Sequence, residues 1–238
     1  MNQSIRLRVR FQKYGPLCYI GHLDVMRYFQ KAIRRAGIDV VYTNGFSPHQ
    51  VMAFAAPLGV GLESKGEYMD IEVNSMSSCR ETAECLNRAG VPGIEVVSVK
   101  ILPPEAGNAM ASVAAAAYRV RFREGMAPNL DLADALADFL AQDRILVTKE
   151  TKKGSREVDL RPGIFRMTYE KNELYMLVDA SSGGNIKPTQ VVEALLAARG
   201  ERLAENALRI TREDMYTRAP GTEGAFGLIS LDNVGYDA

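Results

Sequence analysis

The sequence predicts an α+β protein made of two tandem ferredoxin-like (βαββαβ) units with antiparallel sheets. Three observations carry this expectation. Along the chain, apolar residues switch repeatedly between a period of two and a helical period. The order of these segments runs twice through βαββαβ, the ferredoxin-like plan. A Pro103–Pro104 pair separates the halves, and Tyr118-Arg119-Val120-Arg121-Phe122 beyond it echoes Leu7-Arg8-Val9-Arg10-Phe11 before it. The expected units are 1–104 and 105–212, followed by an extended C-terminal tail over 213–238 that packs on the surface or reaches a partner.

In the first unit, Ile5 to Phe11 alternates apolar side chains with arginine, as a strand with one buried face does. After Gly15–Pro16, residues Val25, Met26, Phe29, Ala32, Ile33 and Ala36 fall on one helical stripe, and Gly37 closes that helix. Ile38 to Tyr42 is β-branched and strand-like, and Asn44–Gly45 opens a loop through Pro48. Strands are expected over Val51–Ala55, Tyr68–Val73 and Ile94–Leu102, with a helix over Ser78–Ala89. In the second unit, a strand at Tyr118–Phe122 precedes a helix over Leu130–Ala141. Strands follow at Ile145–Lys149, Ile164–Glu170 and Leu174–Asp179. A helix from Pro188 to Ala198 uses proline where a first turn tolerates it, and Ala207–Thr211 closes the unit.

Composition narrows the function classes. With 47% hydrophobic and 24% charged residues, the 238-residue chain can bury a core and does not read as disordered. The net charge is zero, so the total gives no attraction to nucleic acid or membrane. The opening MNQSIRLRVRF has the wrong texture for a signal peptide, and no run approaches a membrane span. Cys18, Cys79 and Cys85 are odd in number and widely spaced, which argues for reduced thiols and a cytoplasmic location. Neither a zinc knuckle nor an iron–sulfur spacing is present, so no metal and no cofactor are expected.

Local charge is uneven. Residues 1–42 hold eight basic side chains against two acidic ones. On the first helix Arg27, Lys31, Arg34 and Arg35 fall at i, i+4, i+7 and i+8, opposite the apolar stripe. The bland alternative is a solvated face, but such a face usually carries interspersed glutamates, and this one does not. A second cluster comprises Lys149, Lys152, Lys153, Arg156 and Arg161, with Lys152-Lys153-Gly154 placed as a hairpin tip. Clustered cations of this kind suit phosphate, which makes RNA (tRNA or rRNA) the first candidate partner. Lys13 and Tyr14 are candidate contributors beside the first cluster.

The chain has two histidines, His22 and His49, both at element boundaries. They are candidates for a catalytic acid–base pair or for organising phosphate. The ordinary alternative is a helix-start residue and a loop residue bonded to backbone.

The run Lys13-Tyr14-Gly15, Tyr19-Ile20-Gly21-His22-Leu23-Asp24-Val25-Met26-Arg27, Arg34-Arg35-Ala36-Gly37-Ile38, Gly45-Phe46-Ser47-Pro48-His49, Pro57-Leu58-Gly59-Val60-Gly61 and Glu67-Tyr68-Met69-Asp70 resembles the uncharacterised "radical SAM-linked" family. Domains of that family are fused to, or encoded beside, B12-binding-type radical SAM proteins. Asp159-Leu160-Arg161-Pro162 is a later echo. The resemblance implies a cytoplasmic accessory of a radical SAM protein in an RNA-related setting, and supplies no catalytic residues. This chain lacks C-x-x-x-C-x-x-C, so radical chemistry would belong to the partner. A more distant similarity is to the repeat-processing endoribonucleases of CRISPR systems, in architecture and in the placement of His22. Three functions follow as expectations: an RNA-binding accessory protein working with a radical SAM enzyme in tRNA or rRNA modification or processing; a metal-independent endoribonuclease using His22 and His49; and a module that docks a radical SAM enzyme without touching RNA.

Overall fold

In the computed structural model, which describes residues 4–151, 154–219, 221–223 and 226–238, the alternation from Ile5 onward becomes β1 (Ile5–Lys13). Its inward set, Leu7, Val9 and Phe11, is buried and joins one hydrophobic core. A turn of 3-10 helix over Gly15–Tyr19 leads to α1 (His22–Arg35), which buries Val25, Phe29, Ala32 and Ile33. Phe29 packs edge-on against Phe11 with ring centroids 4.6 Å apart. Then come β2 (Met52–Phe54), β3 (Glu63–Val73), α2 (Cys79–Arg88) and β4 (Ile94–Ile101). Strand β1 lies between β4 and β3 and is antiparallel to both, while β2 adds antiparallel to β3. The strand expected at Ile38–Tyr42 does not form. That segment makes only isolated bridges, Val40 to Val73 and Tyr42 to Gln50.

The second half holds α3 (Ala109–Ser112), β5 (Ala115–Phe122), α4 (Leu132–Ala141), β6 (Leu146–Thr151), β7 (Gly154–Asp159), β8 (Ile164–Glu170), β9 (Glu173–Asp179), α5 (Pro188–Ala197), β10 (Leu208–Arg218) and β11 (Leu228–Ser230). Its strand order is β10-β5-β9-β8, every neighbour antiparallel. Strands β6 and β7 pair only with each other, as a separate hairpin. A second core collects Tyr118, Val120, Met176 and Val178 against Leu136, Phe139, Val192 and Leu195 of α4 and α5.

The halves share one sheet because β3 is long. Its far end takes β2, and its first residues, Glu63 and Ser64, pair in parallel with Thr211 and Arg212 of β10. Gly66 permits this approach: a Cβ there would lie 2.8 Å from the Cα of Asp214. The fold is therefore mixed α+β, built on a large, mostly antiparallel sheet.

Two features differ from expectation. The closing strand runs on to Arg218, so a boundary at 212 falls inside β10. Beyond it the chain folds back: β11 pairs with β10, Ser230 donates to Asp214, Leu231 is fully buried, and Tyr236 bridges Ile101. The acidic side chains Asp214 and Asp232 flank Arg10, and Asp237 pairs with Lys100 at 2.7 Å, so this segment is held by charge. Among the described residues no helix is long and apolar enough to cross a membrane.

Candidate functional site

The basic side chains of the N-terminal region divide into two classes. Arg6, Arg8 and Arg10 project from the face of β1 opposite its buried set, and they are used internally. Arg8 is fully buried and grips Asp70 through Nε and Nη2 at 2.8 and 3.0 Å. Arg6 donates to the carbonyl of Ala106, and Arg10 lies between Asp214 and Asp232. Lys13 is 2% exposed, and its ammonium donates to the carbonyls of Cys18 and Ile20 at 3.3 Å each. It clasps the turn before α1 instead of facing solvent, which removes it from any phosphate-contacting surface.

On α1 the outer face is as its period requires. Arg27, Lys31, Arg34 and Arg35 are all exposed. Arg27 pairs with Asp24 at 3.3 Å through two well-exposed side chains, a contact of little energetic weight. Arg35 donates twice to the carbonyl of Ala89, tying α1 to the end of α2. Lys31 and Arg34 form no ion pair among the described residues. Tyr14 is exposed beside the 3-10 turn. In the second expected cluster, Lys152 and Lys153 lie outside the described residues. Arg156 is exposed on β7, and Arg161 is half-buried in the turn before β8. Among the described residues no hydrogen bond or ion pair joins this hairpin to α1.

The two histidines are not brought together. His22, the first residue of α1, stands edge-on to Phe54 with centroids 5.2 Å apart. Burial pushes its pKa down, and the nearby Glu67 carboxylate offsets this only in part. His49 is exposed, its Nδ1 3.1 Å from the Thr43 hydroxyl and 3.4 Å from the Ser47 carbonyl. Among the described residues no hydrogen bond or ring contact joins the two imidazoles: His22 meets Phe54, and His49 meets Thr43 and Ser47.

What the sequence reading passed over is a buried charge cluster where the halves meet. Arg212 holds Glu67 bidentately, Nε to Oε1 at 2.8 Å and Nη2 to Oε2 at 2.6 Å. Nη2 also donates to the Ala56 carbonyl at 3.2 Å, and the Tyr118 side chain is a further hydrogen-bonding neighbour. Burial opposes the charge on Arg212, and the Glu67 carboxylate together with the Tyr118 side chain outweighs it, so its pKa rises. Burial likewise lowers the pKa of Lys13, against the pull of Glu67. Glu67 thus pairs directly with Arg212 and acts on Lys13 and His22 only through space. A signal was present: Lys13, Glu67 and Arg212 each sit two residues from a buried apolar neighbour, Phe11, Met69 and Ile210, at the inward phase of their strands.

Beside this cluster a cavity of about 370 Å³ opens between the halves. The loop from Ala55 to Leu62 forms one wall, and residues 180–189 with the start of α5 form the other. Tyr118, Ile210 and Arg212 line it from the sheet, and Met110 and Val113 from the linker. Elsewhere, among the described residues no three His, Cys, Asp or Glu side chains are grouped to hold a metal ion.

No curated protein matches the chain. The sequence model of a bacterial family does match, over residues 6–188, a span that takes in β1, α1, the buried Lys13 and Glu67, and the cavity walls up to Pro188. The chain therefore belongs to DUF2344, a family described as an uncharacterized protein conserved in bacteria.

Proposed function

We propose that the protein binds RNA through the outer face of α1 and acts as an accessory to a radical SAM enzyme, in tRNA or rRNA modification or processing. The observation that carries the reading is the pair Lys31 and Arg34: exposed, without ion-pair partners among the described residues, and flanked by Arg27. Cations left unpaired on a rigid helix lose little on meeting phosphate and gain by releasing counterions. The strand orders β4-β1-β3-β2 and β10-β5-β9-β8 support the finer architectural reading of two tandem ferredoxin-like units, with β6–β7 inserted in the second. Sheets of that kind are frequent RNA platforms, an argument by analogy. The radical SAM partner rests on the sequence resemblance alone. The ribonuclease reading would need a second group at His22, since no hydrogen bond or ring contact joins His49 to it among the described residues.

Fluorescence anisotropy with single-stranded RNA over a salt series tests this. The expected result is an affinity falling linearly on a log–log plot, with a slope near −0.7 per phosphate neutralised. Lys31→Glu with Arg34→Glu should weaken binding at least tenfold at low salt and flatten the slope. No RNA affinity at low salt would overturn the reading, and nuclease-resistant co-purification with a radical SAM protein would then favour a protein-docking role.

A further inference from the structure

We infer that the cavity between the halves takes one unstacked nucleotide of the bound strand, base inward; this rests on the RNA reading above. The cavity's volume, about 370 Å³, falls within the roughly 300–1,000 Å³ typical of small-molecule pockets. Its chemistry is selective. Leu58, Leu62 and Ile210 supply apolar surface for the faces of a flat ring, Arg212 and Tyr118 border it from the sheet, and Ser181, Ser182 and Asn185 bring polar side chains from the facing wall. The charge of Arg212 is already matched by Glu67 in a bidentate pair. Such a floor offers hydrogen bonds without net charge, so it suits a neutral, polar-edged base and gives no advantage to a bare phosphate or carboxylate. Cationic character lies instead at the rim, where the exposed Lys187 caps the start of α5. That is where the backbone phosphate of an inserted nucleotide would remain.

The wall of this cavity is tied to the approach to α1. The cavity-lining loop is pinned to the turn before α1 by a hydrogen bond from the Gly61 amide to the Cys18 carbonyl, 2.9 Å. Three apolar side chains stand out from these neighbouring segments: Val60 at 61% exposure, Tyr19 at 65% and Leu23 at 63%. Leu23, Arg27 and Lys31 then follow at i, i+4 and i+8, a line about 12 Å long on α1. Phosphate contacts, a surface on which bases can stack, and a pocket for one base thus succeed each other. Extruding a base costs least from a single strand, where no pairing is broken.

The test uses the full chain and oligoribonucleotides carrying one 2-aminopurine at each position in turn. The expected result is a severalfold fluorescence change confined to one position, and about tenfold weaker binding when that position is made abasic. Met110→Trp and Ser182→Trp each alter an exposed residue at the cavity's edge, and should abolish the signal while flattening the salt slope by no more than the roughly 0.7 of the single phosphate at Lys187. RNA bound with its normal salt slope but with no responsive position would overturn the cavity assignment and leave the RNA reading standing. No RNA binding at low salt would overturn both. Free nucleoside 5′-monophosphates that raise the melting temperature of the wild type but not of Met110→Trp, with no oligonucleotide bound, would overturn the strand-borne form in favour of a free nucleotide.

Discussion

Two buried arginine–carboxylate pairs have nearly the same local geometry and very different surroundings. Arg8–Asp70 joins neighbouring strands within the first half, and Asp70 also accepts from the backbone amide of Ala109 at 2.7 Å. Packing closes over it, with the Arg8 side chain fully buried. Arg212–Glu67 joins the halves and borders a cavity, and its carboxylate is felt through space by Lys13 and His22. The first pair holds the linker against the sheet. The second places an arginine at the edge of an open space, where its desolvation cost is repaid by position as well as by attraction. Identical chemistry thus serves packing in one place and a candidate site in the other, and what separates them is the space left beside each pair.

The largest effect should come from Glu67→Gln, which leaves the buried Arg212 without its carboxylate and removes the negative charge that favours the Lys13 ammonium through space. A loss of about 3–5 kcal/mol is expected from urea unfolding, and at least as large as that of Asp70→Asn, since Lys13 loses that support as well. A reversed order would break the comparison. Gly66→Ala should cost about 1–3 kcal/mol by forcing β10 away from β3, and should weaken RNA binding as well if the cavity depends on that seam. Replacing both members of the first pair, Arg8→Met with Asp70→Leu, should come closer to neutral stability and leave RNA binding intact. The matched Arg212→Met with Glu67→Leu should abolish the 2-aminopurine response. Equal effects on RNA binding would remove the distinction between the pairs.

A smaller effect concerns pH. His22 has its folded pKa lowered, mainly by burial, from an ordinary value of 6.5. The unfolded chain therefore takes up a proton at a higher pH than the folded chain does. This contribution to stability is fully present above pH 6.5 and is lost as the pH falls below it. Unfolding midpoints measured between pH 7 and 5 should decline in the wild type and decline less in His22→Gln. Smallest of all, Lys31→Glu with Arg34→Glu should change stability by no more than about 0.5 kcal/mol, because neither side chain has a partner to lose. A larger loss would mean that the face serves the fold.

Much of the architecture was legible before any coordinates. The period-two run at Ile5, the strand expected at Ile164–Glu170 and the helical stripes of α1 and α4 reported their elements closely, because each pattern is local. Ile38–Tyr42 failed because β-branched residues favour extended backbone, whereas a strand also needs a neighbour along its length. Strand β10 was cut short because the stretch from Glu213 on, rich in Gly, Asp and Asn, reads as an extended tail; in the fold Glu213 and Asp214 meet Arg119 and the Tyr68 hydroxyl. Lys13 was misplaced by reading a cation as exposed when its phase already put it inside.

By itself, then, the sequence determined the secondary elements, the inward and outward phases of their side chains, and the cationic outer face of α1. These follow from residue spacing over a few positions. Only the tertiary structure decided which cations remain free, that His22 and His49 meet different partners, and that Glu67 meets Arg212 beside a cavity. Those outcomes depend on partners as many as 145 residues away in the chain, and periodicity specifies which face a side chain occupies without specifying what will be packed against it.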